Sequence, residues 1–254
     1  MDAGSFIRRK YRIWQQVQTA VELIYPPRCL GCGNLTESDF GLCGSCWRDT
    51  PFIGGAVCDS CGAPVPGNAD GHRIECDDCL KTPRPWRDGR AALLYQARAR
   101  SLVLSLKHGD RPELARPASR WMAQAGRALF RPDMLIAPVP LHWSRLIKRR
   151  YNQSALLAQH LGRETGLDVC PDLLERRVRT PVLDGKTAAE RAETLSGVIS
   201  PHAKRKRKMQ GRDVLLVDDV MTSGATLAAC TQACATAGAN HIFVLVLARV
   251  AKDA

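Results

Sequence analysis

A chain of 254 residues with 45% hydrophobic content is long enough for one ordinary domain plus a small module, and it can supply a buried core. Its formal net charge of +12 favours polyanionic partners, whether nucleic acid, nucleotide or a pyrophosphorylated sugar, without choosing among them. No apolar run approaches the roughly 20 residues that span a bilayer, so we expect no transmembrane segment and a soluble, cytoplasmic protein.

The chain divides by composition. Residues 1–28 read as an N-terminal amphipathic helix; Arg8, Arg9, Lys10 and Arg12 interrupt its apolar positions and cluster at one end, which favours packing on protein over a membrane surface. Residues 29–84 hold eight of the eleven cysteines, all in CxxC pairs: Cys29/Cys32, Cys43/Cys46, Cys58/Cys61 and Cys76/Cys79. Gly, Pro and Asp dominate between them, so this segment buries little apolar surface and needs a staple. A CxxC knuckle offers two thiolates to one tetrahedral ion, and two knuckles complete a closed four-cysteine site, so four knuckles imply two structural zinc ions. Isolated core cysteines would not fall in strict pairs, and a redox dithiol accounts for one CxxC rather than four. Sequential grouping, with Cys29, Cys32, Cys43 and Cys46 on one ion and Cys58, Cys61, Cys76 and Cys79 on the other, matches two ribbons in tandem; interleaved grouping stays open. With no ligand missing, His72 reads as a loop residue.

After Pro83-Arg84-Pro85 the pattern changes, and residues 85–254 alternate strand-like and helix-like stretches. Expected strands cover 90–95, 134–139, 214–217 and 242–247. Expected helices cover 99–107, about 145–165 with Gly166 as its cap, and 225–237. Residues 181–197 are polar and read as a loop or arm. Strand, helix, strand in this order implies a parallel sheet with right-handed crossovers, an α/β domain. Cys170, Cys230 and Cys234 read as small core residues.

The most informative segment is Val214 to Thr226. An apolar strand delivers Asp218 and Asp219 toward its carboxyl end, where ligands bind in open α/β sheets. Then Met221-Thr222-Ser223-Gly224-Ala225-Thr226 opens a helix whose free N–H groups and positive dipole end suit a phosphate. A capped helix with solvated acids is the plainer alternative, but it does not explain two carboxylates beside an anion cradle. A sugar diol lying between them and the phosphate does.

At these residues the sequence resembles the phosphoribosyl-pyrophosphate (PRPP) motif of type I phosphoribosyltransferases. Tyr25-Pro26-Pro27-Arg28-Cys29, Leu106-Lys107-His108-Gly109-Asp110, Val139-Pro140-Leu141-His142, Arg149-Arg150-Tyr151-Asn152-Gln153 and Leu247-Ala248-Arg249 extend the likeness to the ComF family, zinc-ribbon phosphoribosyltransferase-like proteins associated with competence. The resemblance implies a type I phosphoribosyltransferase-like parallel sheet flanked by helices, preceded by a double zinc ribbon. It implies that Asp218 and Asp219 hold the ribose hydroxyls, that Met221 and the Thr222–Thr226 turn hold the 5′-phosphate, and that magnesium rides on the pyrophosphate. Val139 and Pro140 would form the pyrophosphate loop, with Lys107, Arg145 and Arg149 as cationic contacts; Asp218, Asp219, Lys107 and Arg149 make the candidate catalytic set. The family usually carries Arg-Gly-Phe-Asn where this chain has Arg149-Arg150-Tyr151-Asn152, and losing the glycine removes backbone freedom. It also tends to carry an Asn in the polar arm, where this chain has Arg191-Ala192-Glu193-Thr194.

Two functions compete. One is a phosphoribosyltransferase acting on PRPP or a related ligand. The other is a non-catalytic module that binds single-stranded DNA, with the zinc ribbons and the run Lys204-Arg205-Lys206-Arg207-Lys208 supplying affinity, in partnership with DNA-uptake proteins; Arg145, Lys148, Arg149 and Arg150 form a second basic cluster. Aromatic content of 6% is thin for base stacking, although Trp47, Trp86 and Trp143 lie near basic residues. Retention of both aspartates favours the PRPP site.

Overall fold

The computed structural model describes residues 25–37, 39–68, 71–108, 110–178 and 197–251. Of the N-terminal helix expected over residues 1–28, residues 1–24 lie outside the described residues, and 25–28 are not helical, with Arg28 bridging Leu35; the polar arm with Arg191 also lies outside the described residues. The chain forms two compact units that part between Asp49 and Thr50. In the first, a short helix α1 (Gly44–Arg48) follows a turn closed by the Arg28–Leu35 bridge.

The second unit begins with another short helix, α2 (Asp77–Lys81), and continues with β1 (Asp88–Leu94), α3 (Ala97–His108), α4 (Ala115–Ala125) and β2 (Leu135–Pro138). There follow α5 (Trp143–Arg149), α6 (Gln153–Thr165), β3 (Asp168–Val169), β4 (Leu174–Arg176), β5 (Ile199–Pro201), β6 (Val214–Met221), α7 (Ala225–Thr236) and β7 (Ile242–Arg249). Five strands make one parallel sheet in the order β1-β7-β6-β2-β3, and β4 and β5 pair separately as an antiparallel ribbon.

The sheet is parallel because the apolar runs Val214–Val217 of β6 and Ile242–Ala248 of β7 are buried on both faces; all eight residues of β7 are buried. Full burial of side chains such as Leu215, Leu216 and Leu245 contributes about 1.5–3 kcal/mol each. Alternation sorts the faces. Val214, Leu216, Val244 and Val246 join Leu227, Cys230 and Cys234 of α7 in one core, which also takes in Cys58, Cys61, Cys79 and Trp86 of the second cysteine ribbon. Helices α4 and α6 pack on each other and on the sheet.

One expected helix divides in two. The run expected to be continuous from about 145 to 165 breaks between Arg149 and Gln153, because Arg150 adopts a left-handed conformation at φ 65 and Asn152 starts a new helix by accepting from Ser154 N at 3.0 Å. Gly166 caps α6 at φ 74, as its position predicts. Helix α4 had no counterpart in the sequence reading; Pro112 and Leu114 in the short 3-10 turn before it are the start signal.

Candidate functional site

The cysteines converge in two groups. In the first unit the sulfurs of Cys29, Cys32, Cys43 and Cys46 all lie within 4.8 Å of one another, and in the second unit those of Cys58, Cys61, Cys76 and Cys79 do the same. A tetrahedral ion with bonds of about 2.3 Å sets its sulfurs ~3.8 Å apart. Cys32 and Cys43 are 3.7 Å apart, and Cys61 and Cys76 are 3.6 Å apart. Backbone amides of Gly31 and Cys43 donate to Cys29 Sγ at 3.3 and 3.2 Å, which favours the thiolate. The Ser45 hydroxyl first, then the Cys46 amide, holds the Cys43 thiol down to about 6, whereas burial pushes Cys46 up to about 12. Four thiols so crowded ionise together only around a cation, so loading releases protons. Both groups fit structural zinc, closed by four protein sulfurs. His72 is exposed and joins neither group.

The second group is built into the sheet domain. Gly62, at φ +71, lies so close to β1 that a Cβ there would fall 2.5 Å from Ala91 N. Trp86, named in sequence as a tryptophan near basic residues, is buried and donates to Ser60 O at 2.6 Å, so it serves packing and not base stacking. Trp47 and Trp143 are exposed.

All strands of the sheet run the same way, so their carboxyl ends meet along one edge. Asp218 and Asp219 are adjacent in β6 and therefore point to opposite faces. Ser154 Oγ donates to Asp218 Oδ1 at 2.8 Å, and the Asp219 amide donates to the same oxygen at 2.9 Å. Burial first, then the neighbouring Asp219 carboxylate, pushes Asp218 up to about 7. Asp219 is 7% exposed and pairs with Lys107 Nζ at 3.0 Å.

Beyond β6 the chain turns. Thr222 is exposed, Ser223 is half-buried, and Gly224 at φ 81 leads into α7 without a side chain of its own to cap it. Ser223 Oγ accepts only a long 3.4 Å bond from Ala225 N. Gly224 needs both its torsion and its size, because a Cβ would sit 3.0 Å from Trp86 Cη2 and 3.3 Å from Arg84 Nη1. Arg249, 3% exposed, donates through Nη1 to Met221 O at 3.3 Å, to Thr222 O at 2.8 Å and to Val250 O. Arg84 Nη1 donates to Ser223 O at 2.6 Å. Three successive carbonyls of the turn are thus held by guanidinium groups.

The remaining predicted residues surround this edge. Val139 is buried; its N–H donates to Val217 O at 2.9 Å and its carbonyl accepts from Asn152 Nδ2 at 3.0 Å, while Pro140 follows it, also buried. Arg149 Nη1 reaches Gln153 Oε1 at 3.4 Å. Burial, then the charges of Arg149, Lys107 and Lys148, lowers His108, which marks a cationic cluster on the α3 and α5 side. Burial, then Arg145, lowers Arg176 of β4, while the Asp218 carboxylate acts on it in the opposite direction. Ser154, Asn152, Arg84 and Arg176 were not singled out as site residues from sequence. For Asn152 the signal was there, an N-cap residue two positions before Ser154; for Arg84 and Arg176 there was none.

Comparison with known proteins bears on this arrangement directly. A model of the double zinc ribbon domain matches residues 20–80. Competence protein F of Haemophilus influenzae is 30% identical over 228 residues, covering 87% of this chain and 96% of that protein. The chain belongs to the ComF family. The DNA utilization protein YhgH of Escherichia coli is 30% identical over 234 residues, 89% of this chain and 99% of that protein. Competence protein ComFC of Bacillus subtilis is 25% identical over 200 residues, 76% and 77% of the two chains. A hypoxanthine phosphoribosyltransferase of Staphylococcus aureus aligns over 54% of this chain and 64% of its own, at 14% identity and a TM-score of 0.35. This ComF-family chain joins a double zinc ribbon to a five-stranded parallel sheet flanked by helices.

Proposed function

We propose that this ComF-family protein binds PRPP, or a related phosphoribosyl ligand, at the carboxyl edge of its sheet. The observation that carries the reading is the turn from Met221 to Thr226, where three carbonyls are held by arginines, the first amide of α7 meets only the Ser223 hydroxyl at a long 3.4 Å, and two carboxylates stand just upstream. Thr222, Ser223, Gly224, Ala225 and Thr226 take the 5′-phosphate through amides and hydroxyls. Asp218 and Asp219 accept from the ribose hydroxyls over the end of β6. Lys107, Arg145 and Arg149 face the pyrophosphate beyond the Val139-Pro140 turn. Magnesium, which takes few protein ligands, would be carried by the pyrophosphate and would neutralise part of its charge.

If the protein is a transferase, an acceptor nucleophile forms a bond to the anomeric carbon as the bond from that carbon to the pyrophosphate oxygen breaks. The pyrophosphate leaves with the electron pair. The protein's part is to hold the ribose by its 5′-phosphate and diol and to stabilise the leaving group with cations. Titration calorimetry with PRPP and magnesium, followed by a screen for pyrophosphate release against candidate acceptors, tests binding and turnover in turn.

The relatives' names favour a second reading beside the first, a cytoplasmic role in DNA uptake or use through contact with single-stranded DNA and uptake proteins. Its support here is the basic run Lys204 to Lys208, in which Arg205 alone has a described carboxylate partner, Asp172 at 2.8 Å, and the exposed Trp143 at the start of α5, whose last turn carries Lys148 and Arg149. Replacing the five basic residues with Gln should flatten the dependence of affinity on salt; an unchanged slope excludes the run from the contact.

A further inference from the structure

The segment Pro83-Arg84-Pro85-Trp86 lies between the second four-cysteine centre and the phosphate turn, and touches both. Flanking prolines restrict the backbone on either side of Arg84. Arg84 Nε donates to Cys79 Sγ at 3.4 Å, while its Nη1 donates to Ser223 O at 2.6 Å. Its Cζ lies 5.9 Å from the Trp86 ring centroid, and Trp86 in turn is held by Ser60 O and pressed against Gly224. One guanidinium therefore spans a metal ligand and a carbonyl of the anion cradle.

We propose that Arg84 is a positioning residue that ties the conformation of the phosphate turn to zinc loading of the Cys58, Cys61, Cys76 and Cys79 centre. A divalent zinc ion held by four thiolates leaves a net charge of two minus, and in this part-buried setting the Arg84 cation is the natural counter-charge. The loaded centre fixes the Cys79 sulfur, the sulfur fixes Nε, and the planar fork then fixes Nη1 on Ser223 O. Holding that carbonyl turned toward the ribbon leaves the following amides, at Gly224 and the start of α7, to face the opposite side. Arg84 touches neither the ribose nor the phosphate in this scheme; it acts through the turn. The inference rests on the reading of that turn as a phosphate cradle only for its effect on ligand binding, and not for the coupling itself.

The test uses the full zinc-loaded chain. Amide hydrogen exchange is followed at residues 222–227, with amides of β6 and β7 as the reference, in the wild type, in Arg84→Met and in Arg84→Lys. Both variants should keep two zinc ions and wild-type exchange in the strands, while the turn exchanges on the order of tenfold faster, as expected for loss of one charge-assisted hydrogen bond. Arg84→Lys keeps a cation near Cys79 without the second arm, so it serves if Arg84→Met does not fold. Withdrawing zinc with a chelator should speed the turn more than the strands in the wild type, and should add little in either variant. A turn that exchanges at the wild-type rate in a variant holding both zinc ions overturns the proposal, as does zinc withdrawal that loosens the turn no more in the wild type than in the variants. Affinity for magnesium-PRPP, measured alongside, should fall about tenfold in both variants. Should the wild type bind no PRPP while the variants still loosen the turn, the coupling stands and the PRPP reading fails.

Discussion

Lys107 Nζ sits 3.0 Å from Asp219 Oδ1, joining the last turn of α3 to the carboxyl end of β6. With side chains only 20% and 10% exposed, the pair is shielded enough that removing one partner strands the other. Lys107→Met should therefore destabilise the folded protein by about 3 kcal/mol in urea unfolding. Adding Asp219→Asn should restore much of that loss, since the stranded charge goes with it. Additive losses in the double variant would show that the two groups do not interact.

Metal content is a second check. Protein purified without chelator should carry two zinc ions per chain by elemental analysis, one for each four-cysteine group. Free thiols or disulfides with zinc near zero would remove the double-ribbon account.

Asp218 gives a pH signature. Burial and the Asp219 charge raise it to about 7 in the folded, ligand-free protein, above its unfolded value near 3.8, so the neutral form is favoured by folding. Its contribution to stability is full below pH ~4 and is lost as pH rises through about 7. Asp218→Asn stays neutral throughout. Its stability relative to the wild type, followed by thermal unfolding from pH 4 to 8, should rise across that window and level off above it; a difference that stays flat with pH would mean Asp218 is ionised in the fold at no cost.

Arg150 occupies a left-handed position, φ 65, between α5 and α6. This is where the ComF pattern usually has glycine, and a side chain there costs about 1–2 kcal/mol. Its exposed pair with Asp110 at 3.2 Å offsets little of this. Arg150→Gly should raise stability by about 1 kcal/mol after the entropy cost of glycine, measured by urea unfolding, whereas a loss of stability would show that the Arg150 side chain holds the connection.

The parts of this architecture that sequence reveals are those whose cause is local. Two thiols at CxxC spacing reach one ion wherever the loop lies, and the short apolar run before Asp218 is β-branched and Leu-rich and bounded by polar residues, as a buried strand is. Gly224 and the hydroxyls around it announce a turn into a helix. The break at Arg150 escaped because positive φ on an arginine leaves no mark in composition, although Asn152 offered a cap. Arg84 escaped for a different reason: its acceptor Ser223 lies 139 positions along the chain, and no periodicity reports such a contact. The alternation rule was available for Asp218 and Asp219, yet what each one meets, Ser154 on one side and Lys107 on the other, depends on where α3 ends and α6 begins at the sheet edge.

The central claim is that this edge holds PRPP, and calorimetric titration of magnesium-PRPP into wild type and into the Asp218→Asn, Asp219→Asn double variant tests it most directly. The exchange keeps size and removes both negative charges. Hydrogen bonds to charged groups contribute roughly 1.5–3 kcal/mol each. The account predicts that the folded, zinc-loaded wild type binds, that the double variant folds and binds well over tenfold more weakly, and that ribose 5-phosphate binds the wild type more weakly than PRPP. A folded, zinc-loaded wild type that takes up no PRPP at millimolar ligand would contradict it and leave the DNA-binding reading in its place.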